Sequence, residues 1–255
     1  MSVPSDLSVS TIFRSLWDGL VEAFARLRLL SLAGFLIYLF AGILELLVPA
    51  ENTVLREALD AGKTILILPV EIAIYRLLIL GDASAGYFSA ISAPRFPRLL
   101  GWSIFLWALF TLPPYLVGLI TKSETADTIA TLVTAVIVIV FLMRLPILFP
   151  ALAVDAPGAS LGNIIADTKG RIWLILKTYV IMLLPLLAVV AVVGLTSDYA
   201  GLPAWGETIR DSAFEFLATM VIAVAASRLF DWIGHQVKGL PAGSAQLAGQ
   251  TPPAG

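Results

Sequence analysis

The sequence predicts an all-α membrane protein: a polytopic bundle of about six transmembrane helices, preceded by an N-terminal interfacial amphipathic helix. Composition gives the first reason. Hydrophobic residues make up 59% of the 255 residues and charged residues only 13%, about half the charged share of an ordinary soluble domain. The mean hydropathy is +0.94. The apolar residues also gather into runs near the roughly 20 residues that cross a bilayer core, and basic residues fall on alternate connections between these runs.

The apolar runs define six predicted spans. The third has no charged residue between Arg98 and Lys122, which makes it the clearest. The second is interrupted by Glu71 and Arg76, and the sixth is charge-free only over residues 216–227. These two are therefore the weakest by composition. The predicted membrane domain, residues 29–235, contains the spans 29–49, 63–80, 99–120, 127–153, 172–195 and 211–234.

The basic residues predict the orientation of these spans. Of the 16 Lys and Arg residues, 12 lie on the side shared by the N-terminus, the second and fourth loops and the C-terminal tail. Only Arg56, Lys63, Lys122 and Arg210 lie on the other side. Basic residues are retained on the cytoplasmic side of membrane proteins. The sequence therefore predicts a multi-pass protein of the bacterial inner membrane with both termini in the cytoplasm.

The two ends of the chain have different patterns. In the cytoplasmic N-terminus, residues 1–28, a helix over 11–28 would gather its apolar side chains on one half of its surface. This pattern predicts a helix lying on the cytoplasmic leaflet, and packing of the same face against the bundle is the alternative. Residues 236–255 are rich in Gly, Pro and Ala and are predicted to be a disordered cytoplasmic tail. The apolar half of the helix predicted over residues 11–28 contains Ile12, Phe13, Leu16, Trp17, Leu20, Val21, Phe24 and Leu27.

One segment resembles a known group of proteins. The run from Arg144 to Asp155, Arg-Leu-Pro-Ile-Leu-Phe-Pro-Ala-Leu-Ala-Val-Asp, is followed by Asp-Thr-Lys-Gly-Arg-Ile-Trp ending at Trp173. It is similar to bacterial inner-membrane proteins of unassigned function, related to the membrane region attached to some glycerophosphodiester phosphodiesterases. The likeness covers about residues 70–190. It implies a bundle of about six helices and supplies no catalytic residues, and the phosphodiesterase domain itself is missing.

Two charged residues form the candidate intramembrane polar site. Glu71 lies eight residues from Lys63 and eleven from Asp82, about 12 and 16 Å along a helix, and hence near the predicted midplane. A charge at this depth is costly and points to function. Hydrogen bonding of a protonated Glu71 to Tyr75 or a Thr is the structural alternative. Arg144 precedes Pro146 and Pro150, which break a helix, and broken helices with a nearby charge form sites in transporters.

The sequence offers little for catalysis. It has no Cys and one His, so neither a disulfide framework nor a thiolate metal site is expected. No cofactor or metal is predicted. We expect a non-enzymatic integral membrane protein with a structural or partner-binding role, and the alternative is a small transporter or permease-like protein that uses Glu71 and Arg144. The expected partners are membrane lipids and a protein partner or second copy of the chain, and not nucleic acid.

Overall fold

A computed structural model describes residues 7–49, 51–84, 86–120, 124–200 and 203–239. These residues form ten helices and no strand, in agreement with the predicted all-α class. Most of the predicted tail, from residue 240 onward, lies outside the described residues. The helices are α1 (Val9–Arg26), α2 (Arg28–Leu47), α3 (Thr53–Leu80), α4 (Tyr87–Ser92), α5 (Arg95–Ile120), α6 (Glu124–Arg144), α7 (Leu148–Ala153), α8 (Leu161–Thr168), α9 (Ile172–Ala200) and α10 (Ala204–Ile233).

Three predicted spans are confirmed as helices long and apolar enough to cross a membrane. Within the described residues these are Arg28–Leu47, Ile172–Val193 and Ala204–Ile233. The apolar runs at 63–80, 99–120 and 127–153 also form helices, but membrane crossing by α3, α5 and α6 stays a prediction. In α3 the charged side chains themselves lower the hydropathy of the helix.

The predicted fourth span, residues 127–153, is not one helix. α6 ends at Arg144, and the separate helix α7 begins at Leu148. Pro146 lies in the break, where it has no backbone N–H to continue the helical hydrogen bonds. The Thr168 hydroxyl lies 3.2 Å from the carbonyl oxygen of Arg144, so it can satisfy a carbonyl that the break leaves free. The short helix α7 is almost wholly buried.

α10 lies at the centre of the fold and packs against α1, α2, α3, α7 and α9. Glycines on α2 permit its close approach. A Cβ atom added to Gly34 would lie 2.6 Å from the Phe216 ring, and one added to Gly42 would lie 2.8 Å from a methyl group of Thr208. Both distances are shorter than van der Waals contact. α2 and α10 can therefore pack this tightly only because glycine stands at both positions.

The helix predicted at residues 11–28 is present as α1, and its apolar half divides into two parts. Ile12 and Leu16 are fully buried where α1 packs against α9 and α10, so the alternative of packing on the bundle applies to this part. Phe13, Trp17 and Val21 are exposed. Location of this exposed part in a membrane surface stays a prediction.

The loops at the predicted cytoplasmic end are held by specific hydrogen bonds. The buried Asp167 carboxylate accepts from the backbone N–H groups of Gln236, at 3.1 Å, and Val237, at 3.0 Å. The Gly158 N–H donates to the Val237 carbonyl oxygen at 2.9 Å. These bonds join the segment between α7 and α9 to the turn after α10, so this end of the bundle is a connected layer.

Candidate intramembrane site around Glu71

From Lys63 to its end, α3 carries three charged side chains: Lys63, Glu71 and Arg76. At 1.5 Å per residue, Glu71 lies about 12 Å beyond Lys63 and about 7.5 Å before Arg76. The surroundings of the three side chains differ, and the difference defines the candidate site.

Glu71 lines a cavity of about 350 Å³ between α3, α5, α9 and α10. Most of the described lining is apolar or aromatic, and hydroxyl groups are interspersed. Glu71 is the one charged residue of the described lining. The other lining residues are Thr64, Leu68, Tyr75, Ser103, Leu106, Trp107, Phe141, Leu145, Pro146, Phe149, Tyr179, Thr219, Ile222, Ala223 and Ala226.

The Glu71 carboxylate makes no hydrogen bond or ion pair with any residue that the structure describes. The hydrogen bond to Tyr75 or to a Thr that the structural alternative requires is therefore absent among the described residues. Glu71 lies within α3 between two buried residues, Val70 and Ile72. Its carboxylate therefore has no countercharge among the described residues.

Arg144 does not compensate this charge. It lies at the last turn of α6 and does not contribute to the described lining of the cavity. No ion pair joins its guanidinium to Glu71 or to another described carboxylate. The two residues named by the sequence are therefore not brought together as a pair, and a functional role for either one stays a prediction.

The break between α6 and α7 nevertheless contributes to the cavity wall. Leu145 and Pro146 from the break, and Phe149 from α7, line the same cavity as Glu71. The helix break that the sequence predicts next to Arg144 therefore shapes the cavity. It does so through Leu145, Pro146 and Phe149 and not through Arg144 itself. A non-helical segment at membrane depth is tolerated where it is buried in protein or lines a cavity.

Lys63, in contrast, is surrounded by carboxylates. Its ammonium lies 2.8 Å from Asp60, 2.8 Å from Glu215 and 3.9 Å from Glu45. It also lies 5.6 Å from the centre of the Tyr38 ring, within the range of a cation–π interaction. One positive charge is therefore shared among three negative groups from three helices.

A second cavity of about 330 Å³ opens beside Lys63, and we call it the acidic vestibule. Four carboxylates and two basic groups line it, and Asp211 is itself paired with Arg210 at 2.8 Å. The sequence places this region on the non-cytoplasmic side. The charged lining residues are Glu45, Arg56, Lys63, Glu207, Asp211 and Glu215.

One hydrogen bond lies between the two cavities. Tyr38 lines the acidic vestibule and Thr219 lines the Glu71 cavity, and their hydroxyl oxygens are 2.6 Å apart. Thr219 also donates to the carbonyl oxygen of Glu215, at 3.1 Å. Lys63 and Thr64 are neighbours in the chain and face different cavities. The boundary between the two spaces is therefore about one layer of side chains thick.

The charge of Arg76, near the end of α3, is neutralised locally. Arg76 binds Asp82, with its two nitrogens 2.6 and 3.0 Å from one carboxylate oxygen. Asp82 lies past the end of the helix, after Gly81 in the left-handed conformation at φ 70°. Hydrogen bonds from Ser84 and from Arg76 lower the pKa of the Asp82 carboxyl to about 2. Arg76 is thus held at the helix end and directed away from Glu71.

Sequence reasoning missed the vestibule, Tyr38 and Thr219. From the sequence, Lys63 is only the first residue of the second predicted span, and Tyr38 is one residue of the apolar first span. The one available signal was the presence of Glu45 and Glu215 next to otherwise apolar runs, each a charge that would need a partner. No spacing in the sequence indicates that both partners are the same lysine, because they come from different helices.

The fold and this site define an α-helical protein with three helices apolar enough to cross a membrane and a carboxylate that has no described partner in a cavity between the helices. The three apolar helices support the membrane assignment by length and composition. Comparisons of the chain with protein-family models, with curated proteins and with solved structures give no match. The resemblance of residues 70–190 to bacterial inner-membrane proteins therefore stays a prediction.

Proposed function

We propose that this protein is a small permease-like protein of the bacterial inner membrane, and that the Glu71 cavity is its ligand-binding site. The observation that carries the proposal is the Glu71 carboxylate, which has no partner among the described residues and lines a cavity of about 350 Å³. A cavity of this volume is in the range that holds small ligands. An ionisable group inside a membrane domain is a functional candidate by default, because its presence costs stability.

The structural role, which was favoured from sequence, requires a packed partner for Glu71. Neither Tyr75, nor a Thr, nor Arg144 fills this role among the described contacts, so we place the transport-type function first. The wall formed by the α6–α7 break supports the same choice, since discontinuous helices commonly form transporter sites. In this proposal the protein is not an enzyme and needs no cofactor, and it contacts membrane lipids.

The topology is part of the proposal. All six apolar runs cross the membrane, both termini lie in the cytoplasm, and the Glu71 cavity lies near the midplane. The 12 to 4 division of basic residues supports this orientation. It places the acidic vestibule at the periplasmic end and the Arg76–Asp82 pair at the cytoplasmic end.

Water access to Glu71 can be tested by thiol labelling. The chain contains no Cys, so a single introduced cysteine reports one position. We expect Glu71→Cys, in lipid nanodiscs, to react with a charged methanethiosulfonate reagent, because a ligand site in a permease must exchange with water. The degree of modification is read by mass spectrometry.

Two control positions lie on the same helix. Ile74→Cys replaces a side chain that is 0% exposed and should not react. Leu66→Cys replaces a side chain that is 49% exposed but does not line the cavity, and it should not react where lipid covers it. A Glu71→Cys variant that is as unreactive as Ile74→Cys would contradict the proposal.

A further inference from the structure

We propose that the ligand of the Glu71 cavity is a monovalent organic cation with an apolar body, and that it reaches the cavity from the acidic vestibule. This inference rests on the proposed function, because it assumes that the cavity binds a ligand, and it adds the chemical class of that ligand and its direction of approach.

The charge of the ligand follows from the lining. Glu71 is the one ionisable carboxylate of the described wall, and no Lys or Arg lies in that wall. A cation would supply the missing countercharge, whereas an anion would add a second negative charge in surroundings of low dielectric constant. Opposite charges interact far more strongly there than in water.

The donor set argues against a bare metal ion. Calcium takes six to eight oxygen ligands and magnesium needs near-octahedral geometry, whereas the cavity offers one carboxylate and scattered hydroxyl groups. Among the described residues, no group of three or more His, Cys, Asp or Glu side chains could hold a metal. An ammonium group needs no such shell, because a single carboxylate and aromatic faces can receive it.

The aromatic side chains indicate an organic ammonium or a similar soft cation. Five aromatic residues line the space around Glu71, and such faces attract cations within about 6 Å. The same rings offer apolar contact to the body of the ligand. This combination is the one used to recognise quaternary ammonium groups. The five residues are Tyr75, Trp107, Phe141, Phe149 and Tyr179.

The acidic vestibule favours the approach of cations. Its lining carries both signs of charge, four carboxylates and two basic groups, and Lys63 and Arg210 pair with three of the four carboxylates. The remaining excess of negative charge attracts cations. Only the layer that contains the Tyr38–Thr219 hydrogen bond separates this space from the Glu71 cavity. A cation that reaches the vestibule is thus about one side-chain layer from the carboxylate.

The test uses three probes of one shape and different charge: benzyltrimethylammonium, its neutral carbon analogue neopentylbenzene, and the anion phenylmethanesulfonate. The reporter is the rate of alkylation of Ser103→Cys, a lining residue opposite Glu71 that leaves the carboxylate intact. We expect the cation to protect this cysteine and the anion to give no protection. The neutral probe should protect at least about tenfold more weakly than the cation, the equivalent of about 1.4 kcal/mol of binding energy.

Glu71→Gln in the Ser103→Cys background should reduce protection by the cation by about the same factor. The matched control is Glu57→Gln, the same change at an exposed position of α3, and it should leave protection unchanged.

Equal protection by cation and neutral analogue, or protection by the anion, would overturn the ligand class while the cavity stays a binding site. A Ser103→Cys that no reagent reaches, together with an unreactive Glu71→Cys, would instead overturn the proposed function. The comparison of probes on intact Glu71 does not depend on the folding of the Gln variant.

Discussion

Along α3, charged side chains on either side of Glu71 are paired, and Glu71 is not. Before it in the chain, Lys63 is bound by Asp60, Glu215 and Glu45, and after it Arg76 is bound by Asp82. Between them Glu71 faces a cavity and has no partner among the described residues. A helix that neutralises the two flanking charges could have neutralised the one between them in the same way. The difference indicates that the flanking charges stabilise the fold and that Glu71 is kept for binding.

The largest effect is expected at Lys63. Lys63→Met would leave three carboxylates close together without their shared cation. We expect the free energy of unfolding to fall by about 2–3 kcal/mol, measured by denaturant unfolding in detergent. Lys169→Met, at an exposed position, is the control and should change little. If Lys63→Met is as stable as the unchanged protein, the ion pairs of Lys63 do not stabilise the fold.

At Glu71 the expected effect has the opposite sign. Glu71→Leu removes an unpaired carboxylate from a largely apolar wall, and no described partner loses a hydrogen bond. The free energy of unfolding should rise by about 1–2 kcal/mol while cation binding is lost. The same change at Glu215 removes a partner that lies 2.8 Å from Lys63, so Glu215→Leu should lower stability. A loss of stability in both variants would show that Glu71 is also structural.

The smallest effect is expected at Asp82, whose pKa is lowered from 3.8 to about 2. A lowered carboxyl pKa adds stability above the unfolded value, and this part is lost as the pH falls from about 4 to about 2. Because Asp82 is partly exposed, we expect Asp82→Asn to cost under about 1 kcal/mol at neutral pH. The variant should also lose part of the decline in stability between pH 4 and pH 2. If the decline in stability between pH 4 and pH 2 is unchanged in Asp82→Asn, other carboxylates cause it.

Periodicity and composition were sufficient to predict that the apolar runs are helical, and five of the six runs form one helix each. Their ends were less predictable. α3 begins at Thr53, ten residues before the predicted span, because the Asn52 side chain accepts from the Leu55 N–H at 3.2 Å and extends the helix beyond its apolar part. In the fourth run, Pro146 ended the helix that hydropathy had continued to residue 153.

The candidate site was predicted only in part. Glu71 was identifiable because a lone carboxylate in an apolar run is costly wherever the run packs. Whether Arg144 contacts Glu71 could not be predicted from the sequence, because contacts between different helices depend on how those helices rotate about their axes. Thr219 and Tyr38 carry no unusual sequence signal, and their hydrogen bond exists only because Gly34 and Gly42 permit α2 to approach α10 closely.

The central place of α10 has a consequence for biosynthesis. It is the last of the described helices to leave the ribosome, yet α1, α2, α3, α7 and α9 all pack against it. Until Ala204–Ile233 is made, Gly34 of α2 has Ile67 of α3 beside it but lacks the Phe216 ring. Thr219, Ala223 and Ala226 complete the wall around Glu71. A partly synthesised chain therefore lacks a finished cavity around this carboxylate.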